Sequence, residues 1–323
     1  MIAAGIDIGT NSFRMLIARI DDGRMVPLVK KLDTVRLGAG LQQSGCLSTD
    51  AMNRALAVLA SYREELTSFE PMFCRACGTA ALRLATNRDQ FLADAQQTLG
   101  MAVEVISGEE EAILSLNGAL AAIRKPADRP LFKVDVGGGS TELVMVPAEN
   151  SSPGPHAAKI DSLPLGAVSL TEQFLRRPTA TAAEIQELER HVTVMLRPAV
   201  AALFNSSGVE PYIVGSGGTA TAMAALALQL AAYDESKVQG YELTGSQVKG
   251  LWQKLAALAA AERNQLPGLE QGRGSIILAG IKIYQILLEQ LGADSLVISD
   301  AGLLEGIVLS RIPESANIHI SYA

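Results

Sequence analysis

Short apolar runs of strand character recur at residues 3–8, 13–20, 25–33, 73–77 and 101–106. Between and after them the apolar positions change period, so that residues 48–66, 87–99 and 108–122 predict helices. Three antiparallel strands followed by alternating helix and strand describe a mixed sheet in an α/β domain. The segment RKPADRP, residues 124–130, interrupts this pattern, and its prolines and charges suit a domain boundary. After it the order begins again: strand, glycine turn, strand, a Ser/Pro/Gly-rich loop at 150–155, another strand, then mainly helices. A chain of 323 residues exceeds what one core usually supports. Two domains are therefore expected, residues 1–125 and 126–323, with the last helix, over 301–310, packing back on the first.

The restart is also visible residue by residue. Asp7, Gly9 and Ser12 of IDIGTNSFRM reappear as Asp135, Gly137 and Ser140 of VDVGGGSTEL, each 128 residues later, the signature of an internal duplication. One glycine hairpin is an ordinary turn, whereas two in register, each with an aspartate at the strand end and a serine past the turn, suit a two-sided ligand site. Successive backbone N–H groups in such turns form a nest for phosphate oxygens. Asn11, Ser12, Gly138, Gly139 and Ser140 are the candidate phosphate contacts. Asp7 and Asp135, at the carboxyl ends of their strands, are candidate ligands for a magnesium ion, the usual partner of phosphate. The copies differ at one position that changes sign, Arg14 in the first and Glu142 in the second. Arg14 then suits anionic oxygen, and Glu142 the metal or the nucleophile.

Charge and composition narrow the ligand. The net charge is −7 and the isoelectric point about 5.2, a balance that argues against a large, sequence-independent nucleic-acid footprint, which needs a basic face. A single polyanion can still be neutralised locally by backbone amides, a metal ion and a few arginines. The apolar runs fall short of the roughly 20 residues that span a bilayer, so no membrane segment is expected. The N-terminus lacks a basic region ahead of an apolar stretch, and no signal peptide is expected. Three cysteines cannot carry a disulfide framework, which favours the cytoplasm. Cys74 and Cys77 have zinc-like spacing, but in a strand residues three apart point to opposite faces, and the pair reads as core. Trp252 lies in an amphipathic helix and reads as packing.

The stretches GIDIGTNSFRMLIARI, GTAALR, ISGEEEA, VDVGGGSTELV and VGSGGTATA, in this order, resemble the exopolyphosphatase and guanosine pentaphosphate phosphohydrolase family, within the sugar-kinase, heat-shock-chaperone and actin superfamily. The resemblance covers nearly the whole chain. It implies two ribonuclease-H-like α/β domains around a cleft, in the short form without C-terminal helical domains. In ISGEEEA the residues alone leave three glutamates open: Ser107 suits a helix cap with Glu110 as capping-box partner, and Glu109, Glu110 and Glu111 all suit the positive end of a helix. The resemblance selects Glu111, the glutamate before the alanine, as the general base that activates water. It implies that Arg83 approaches substrate phosphate. Gly217, Gly218 and Thr219, after Gly215, match the segment that holds adenosine in nucleotide-binding relatives, and Arg273 matches a substrate arginine. Gly274, Ser275 and Leu304 depart from the family pattern, which bears on chain-length preference.

The implied activity is magnesium-dependent release of terminal orthophosphate from inorganic polyphosphate, with guanosine pentaphosphate as candidate second substrate. A homodimer and closure of the two lobes around substrate are further implications. Two other classes compete: an ATP-dependent kinase or ATPase of the same superfamily, and a non-enzymatic module that binds polyphosphate or an alarmone. Acceptor-directed phosphoryl transfer would mark the first, and binding without phosphate release the second.

Overall fold

The computed structural model describes residues 1–148, 158–204, 209–312 and 319–320. The Ser/Pro/Gly-rich loop expected at 150–155 lies outside them. The chain forms two compact units, one made of Met1–Ala122 with Ala301–Ala323 and the other of Ile123–Asp300.

The first unit opens with β1 (Ile2–Ile8), β2 (Ser12–Asp21) and β3 (Arg24–Thr34), an antiparallel meander, followed by β4 (Phe73–Gly78) and β5 (Val103–Val105). β4 joins the free side of β1 in parallel, and β5 joins β4 in parallel. The second unit repeats the scheme with β6 (Leu131–Val136), β7 (Thr141–Val146), β8 (Lys159–Leu163), β9 (Tyr212–Ser216), β10 (Glu242–Thr244) and β11 (Ser295–Ile298). The chain then returns to the first unit with the Leu303–Leu309 helix and β12 (His319–Ile320), which pairs with β3. The sheet orders are β12-β3-β2-β1-β4-β5 and β10-β11-β9-β6-β7-β8. Within each, the meander and its two parallel additions have the same order and the same strand directions. Both are ribonuclease-H-like, and the duplication read from two ten-residue stretches extends to whole sheets.

The central strands are near-continuously apolar because each sheet is covered on both faces. In the first unit Ala4, Ile6, Ile8, Phe13, Met15 and Ile17 pack with Leu59, Tyr62 and Phe91, from the Thr49–Phe69 and Arg88–Leu99 helices. The alternate positions Ala3, Leu16 and Ala18 pack with Leu304 and Val308, while Cys77 packs with Ile106, Leu114 and Ile307. Cys74 and Cys77 therefore lie in different clusters on opposite sides of β4, as a strand requires. Leu304, at one of the family departures, is a core residue. On this second face the Gly108–Leu120 and Leu303–Leu309 helices cross at backbone contact: a Cβ on Gly306 would lie 1.8 Å from the Leu114 carbonyl oxygen, and one on Gly118 would lie 1.9 Å from that of Gly302. In the second unit Phe132, Val134, Val136 and Leu143 belong to a large cluster with the Ala182–Leu203, Gly245–Ala256 and Ile277–Leu291 helices. Trp252 is buried there, with its indole N–H donating to the Leu278 carbonyl at 3.1 Å.

Candidate functional site

Each unit places its glycine hairpin at the carboxyl end of its first strand, and the two hairpins share one internal geometry. The Gly9 N–H donates to the Ser12 carbonyl at 3.2 Å, and the Gly137 N–H to the Ser140 carbonyl at 2.9 Å. A Cβ on Gly9 would lie 2.8 Å from the Ser12 oxygen, so the turn needs glycine there. The sign difference is also positioned alike. Asp7 stands opposite Arg14 in the β1–β2 register, and Asp135 opposite Glu142 in β6–β7. Directly opposed residues of an antiparallel pair project to one face, so each hairpin presents two charged side chains together, plus/minus in one unit and minus/minus in the other.

In the first unit, Asp7, Thr10, Asn11 and Ser12 are all buried. The Asn11 carbonyl accepts the N–H groups of Val35 and Arg36 at 3.0 and 2.7 Å, and the Thr10 carbonyl accepts that of Gly38 at 2.9 Å. The segment after β3 thus holds the turn by its carbonyls. The Asn11 side-chain amide donates to Ser12 Oγ at 3.0 Å.

The three glutamates of ISGEEEA have three different fates. Glu109 is exposed. Glu110 supplies its backbone N–H to the Ser107 cap at 3.0 Å, while its carboxylate accepts from Arg75 Nη2 at 2.5 Å. The cap forms as expected, but the carboxylate of the expected capping box turns to Arg75, since a guanidinium makes a stronger, charge-assisted bond than a backbone N–H. Glu111 is buried and accepts from Arg83 Nη1 at 2.6 Å, the same nitrogen donating to the Ile106 carbonyl at 3.1 Å. Arg83 comes from the short Ala80–Leu84 helix after β4, and Glu111 from the first turn of the Gly108–Leu120 helix after β5. Adjacent parallel strands thus deliver base candidate and arginine to one place.

In the second unit the carbonyls of Gly137 and Gly138 accept N–H groups of Ala167, Val168 and Ser169 at 2.9, 2.9 and 3.2 Å. These are the first residues of the Ala167–Phe174 helix. In a planar trans peptide the N–H points opposite to its carbonyl, so the N–H groups of Gly138 and Gly139 are directed away from that helix. Gly166 permits this approach: a Cβ there would lie 2.2 Å from the Gly138 oxygen. Glu142, 1% exposed, accepts from Ser162 Oγ at 3.0 Å across β7–β8. Asp135 Oδ2 accepts from Ser216 Oγ at 2.7 Å and from Lys133 Nζ at 3.2 Å. Gly217, at φ +82°, passes so close that a Cβ would lie 2.3 Å from Asp135 Oδ1. VGSGGTATA therefore shapes the surroundings of Asp135. Gly218 lies against the Arg273 guanidinium, where a Cβ would lie 2.4 Å from Nη1. Arg273 is itself ion-paired with Glu270 at 2.6 Å. Thr219 is buried and packs against Gly280 of the Ile277–Leu291 helix. Gly274 at the departure site accommodates Asn264, whose Oδ1 accepts its N–H at 2.8 Å, and an alanine Cβ would meet that oxygen at 2.5 Å.

Asp135 and Glu142 offer only hard oxygen donors on one sheet face, which suits magnesium. Among the described residues no three His, Cys, Asp or Glu side chains cluster to hold a metal ion. A cation at this pair would complete its shell with water and substrate oxygens, as magnesium commonly does. Residues the sequence reading did not single out are Lys133, Ser162, Ser216, Glu270 and Arg75. Of these only Lys133 carries a sequence signal: a lone lysine in the apolar run LFKVDV, two positions before the aspartate and hence on its face. No described helix is long and apolar enough to cross a membrane.

The model of the Ppx/GppA phosphatase family matches residues 16–315. Exopolyphosphatase 2 of Mycobacterium tuberculosis is 33% identical over 320 residues, 95% of this chain and 97% of that protein. Among solved structures, the Aquifex aeolicus Ppx/GppA family member superposes with a TM-score of 0.77 at 33% identity, covering 96% of this chain and 97% of that one. An exopolyphosphatase from Cytophaga hutchinsonii superposes with a TM-score of 0.85 at 25% identity, again over 96% and 97%.

Proposed function

The chain belongs to the Ppx/GppA phosphatase family, and from that membership we propose that it releases terminal orthophosphate from inorganic polyphosphate in a magnesium-dependent reaction. The observation that carries this reading is the pairing of Glu111 with Arg83 at 2.6 Å. It joins a carboxylate fit to take a proton from water to a cation fit to stabilise phosphate charge. Glu111 acts as general base, taking the proton of the attacking water as its oxygen approaches the terminal phosphorus in line with the leaving phosphate. Arg83 holds the Glu111 carboxylate in place and brings its guanidinium charge to phosphate oxygen. The N–H groups of Gly138 and Gly139, with Ser140, and Asn11 and Ser12 of the other hairpin, bind phosphate oxygens. Asp135 and Glu142 hold the magnesium ion, which when bound supplies charge neutralisation of the phosphate chain. Asp7, at the end of the other first strand, is the further candidate ligand for that ion, and Arg14 is directed toward anionic oxygen. Arg273, Gly217 and Gly218 line the approach to Asp135. No covalent nucleophile is required.

Guanosine pentaphosphate ends in the same phosphoryl anhydride, and conversion to the tetraphosphate is the second activity of this proposal. The test is phosphate release from long and short polyphosphate, guanosine pentaphosphate and ATP, with and without magnesium, by wild type and Glu111→Gln. Release by wild type that requires magnesium and falls by roughly 10²–10⁴-fold in the variant is the expected result. Release untouched by the substitution would remove Glu111 from the mechanism. Absence of release with retained polyphosphate binding would make the chain a binding module.

A further inference from the structure

β6 reads LFKVDV, and its two charged residues, Lys133 and Asp135, share the face opposite Phe132, Val134 and Val136. Lys133 has 0% exposure, among the most buried large side chains of the chain. A lysine at that depth is rare unless paired. Its Nζ lies 3.2 Å from Asp135 Oδ2, the oxygen that already accepts from Ser216 Oγ at 2.7 Å. Glu142 stands across from Asp135 in register, almost fully buried. The serine supplies Asp135 with a hydrogen bond, and Gly217 packs over Oδ1. What the lysine adds that these neighbours cannot is charge.

We propose that Lys133 is a fixed internal counter-ion that sets how tightly the Asp135–Glu142 pair binds a divalent cation. The proposal rests on the assignment of these two carboxylates to the cation and names the residue that tunes it. Without Lys133 an incoming cation would meet the two carboxylates without the ammonium that now lies 3.2 Å from Asp135 Oδ2. With it, the ammonium offsets one of those charges, engages Oδ2, and repels a second cation at short range. At the low effective dielectric of a buried site such a like-charge contact is weakly screened. The pair is thereby held compatible with burial when no cation is bound, at the expense of affinity.

The test uses the full-length chain without substrate, so that turnover plays no part. Manganese binding is followed by the spin-resonance signal of the free ion, and magnesium binding by calorimetry, for wild type, Lys133→Gln, Lys133→Met, Lys133→Arg and Asp135→Asn. Lys133→Gln keeps a donor beside Asp135 while removing the charge. It and Lys133→Met are expected to bind at least about tenfold more tightly, equivalent to about 1.4 kcal/mol. Lys133→Arg is expected to stay at the wild-type value, and Asp135→Asn to lose the site. Circular dichroism identifies the variants that retain the native fold, and the arginine and glutamine substitutions preserve the comparison if methionine does not fold. Unchanged or weaker binding by Lys133→Gln overturns the counter-ion role while leaving the carboxylate assignment standing. Equal binding by wild type and Asp135→Asn instead overturns the assignment, and the counter-ion role falls with it.

Discussion

At the scale of single residues, identical side chains acquire different chemistry from their surroundings. Glu109, Glu110 and Glu111 are consecutive, yet one is exposed, one is bound by Arg75 and one by Arg83. The cysteines show the same dependence on place. Burial is the main cause that pushes the Cys77 thiol from an ordinary 9.0 up to about 12, and it raises Cys74 to about 11. In the unfolded chain both thiols ionise at their ordinary value, whereas in the fold they keep their protons to higher pH. The unfolded state then binds fewer protons, so stability is fully present below pH 9.0 and falls as pH rises toward about 12. Urea midpoints measured at about pH 8 and about pH 10.5 should therefore drop, and the drop should shrink in a Cys74→Ala, Cys77→Ala variant. An equal drop in both proteins would show that the thiols do not carry the effect. Native thiol labelling at neutral pH is expected at the exposed Cys46 ahead of the other two.

At the scale of elements, the position of the Glu111 helix depends on how closely two helices approach. Gly118 and Gly306 let the Gly108–Leu120 and Leu303–Leu309 helices meet backbone to backbone, and carbonyl groups cannot yield as a flexible side chain can. Gly306→Ala forces the helices apart and is expected to cost about 1–3 kcal/mol or more by overpacking. Gly250 offers the opposite case. It is exposed inside the Gly245–Ala256 helix, with nothing within 4 Å of an added Cβ. Gly250→Ala should stabilise by roughly 0.5–1 kcal/mol, because alanine has the better helix propensity and less backbone entropy to lose. Thermal melts of the two variants should shift in opposite directions. A Gly306→Ala melt equal to wild type would show that the crossing can relax without loss.

At the scale of the whole molecule, the two units differ in continuity. The second runs without interruption from Ile123 to Asp300, whereas the first is closed by Ala301–Ala323, after the chain has completed the second. Residues 1–122 alone lack Leu304 and Val308, which cover Ala3, Leu16 and Ala18. Expressed separately, residues 123–300 are expected to fold cooperatively. Residues 1–122 are expected to expose one sheet face, bind a hydrophobic dye and melt without cooperativity, and to recover when residues 301–323 are joined through a flexible linker. Cooperative melting of residues 1–122 alone would contradict this dependence.

Much of this was legible along the chain because its signals are local. Period-two and helical patterns located the strands and helices of the first unit. The 128-residue displacement of Asp, Gly and Ser announced the duplication, and turn chemistry follows from a few consecutive residues. The same alignment matched Arg14 with Glu142, while the cross-strand pairs Asp7–Arg14 and Asp135–Glu142 came with the register that each tight hairpin sets. Tertiary structure alone decided which side chains from distant segments meet. Arg83 reaches Glu111 across 28 residues of sequence, Ser216 reaches Asp135 across 81, and Arg75 meets Ser310 across 235. Such partners depend on how parallel strands are ordered and how closely helices cross. Those are set by packing summed over both faces of a sheet, and no short stretch of residues carries that sum.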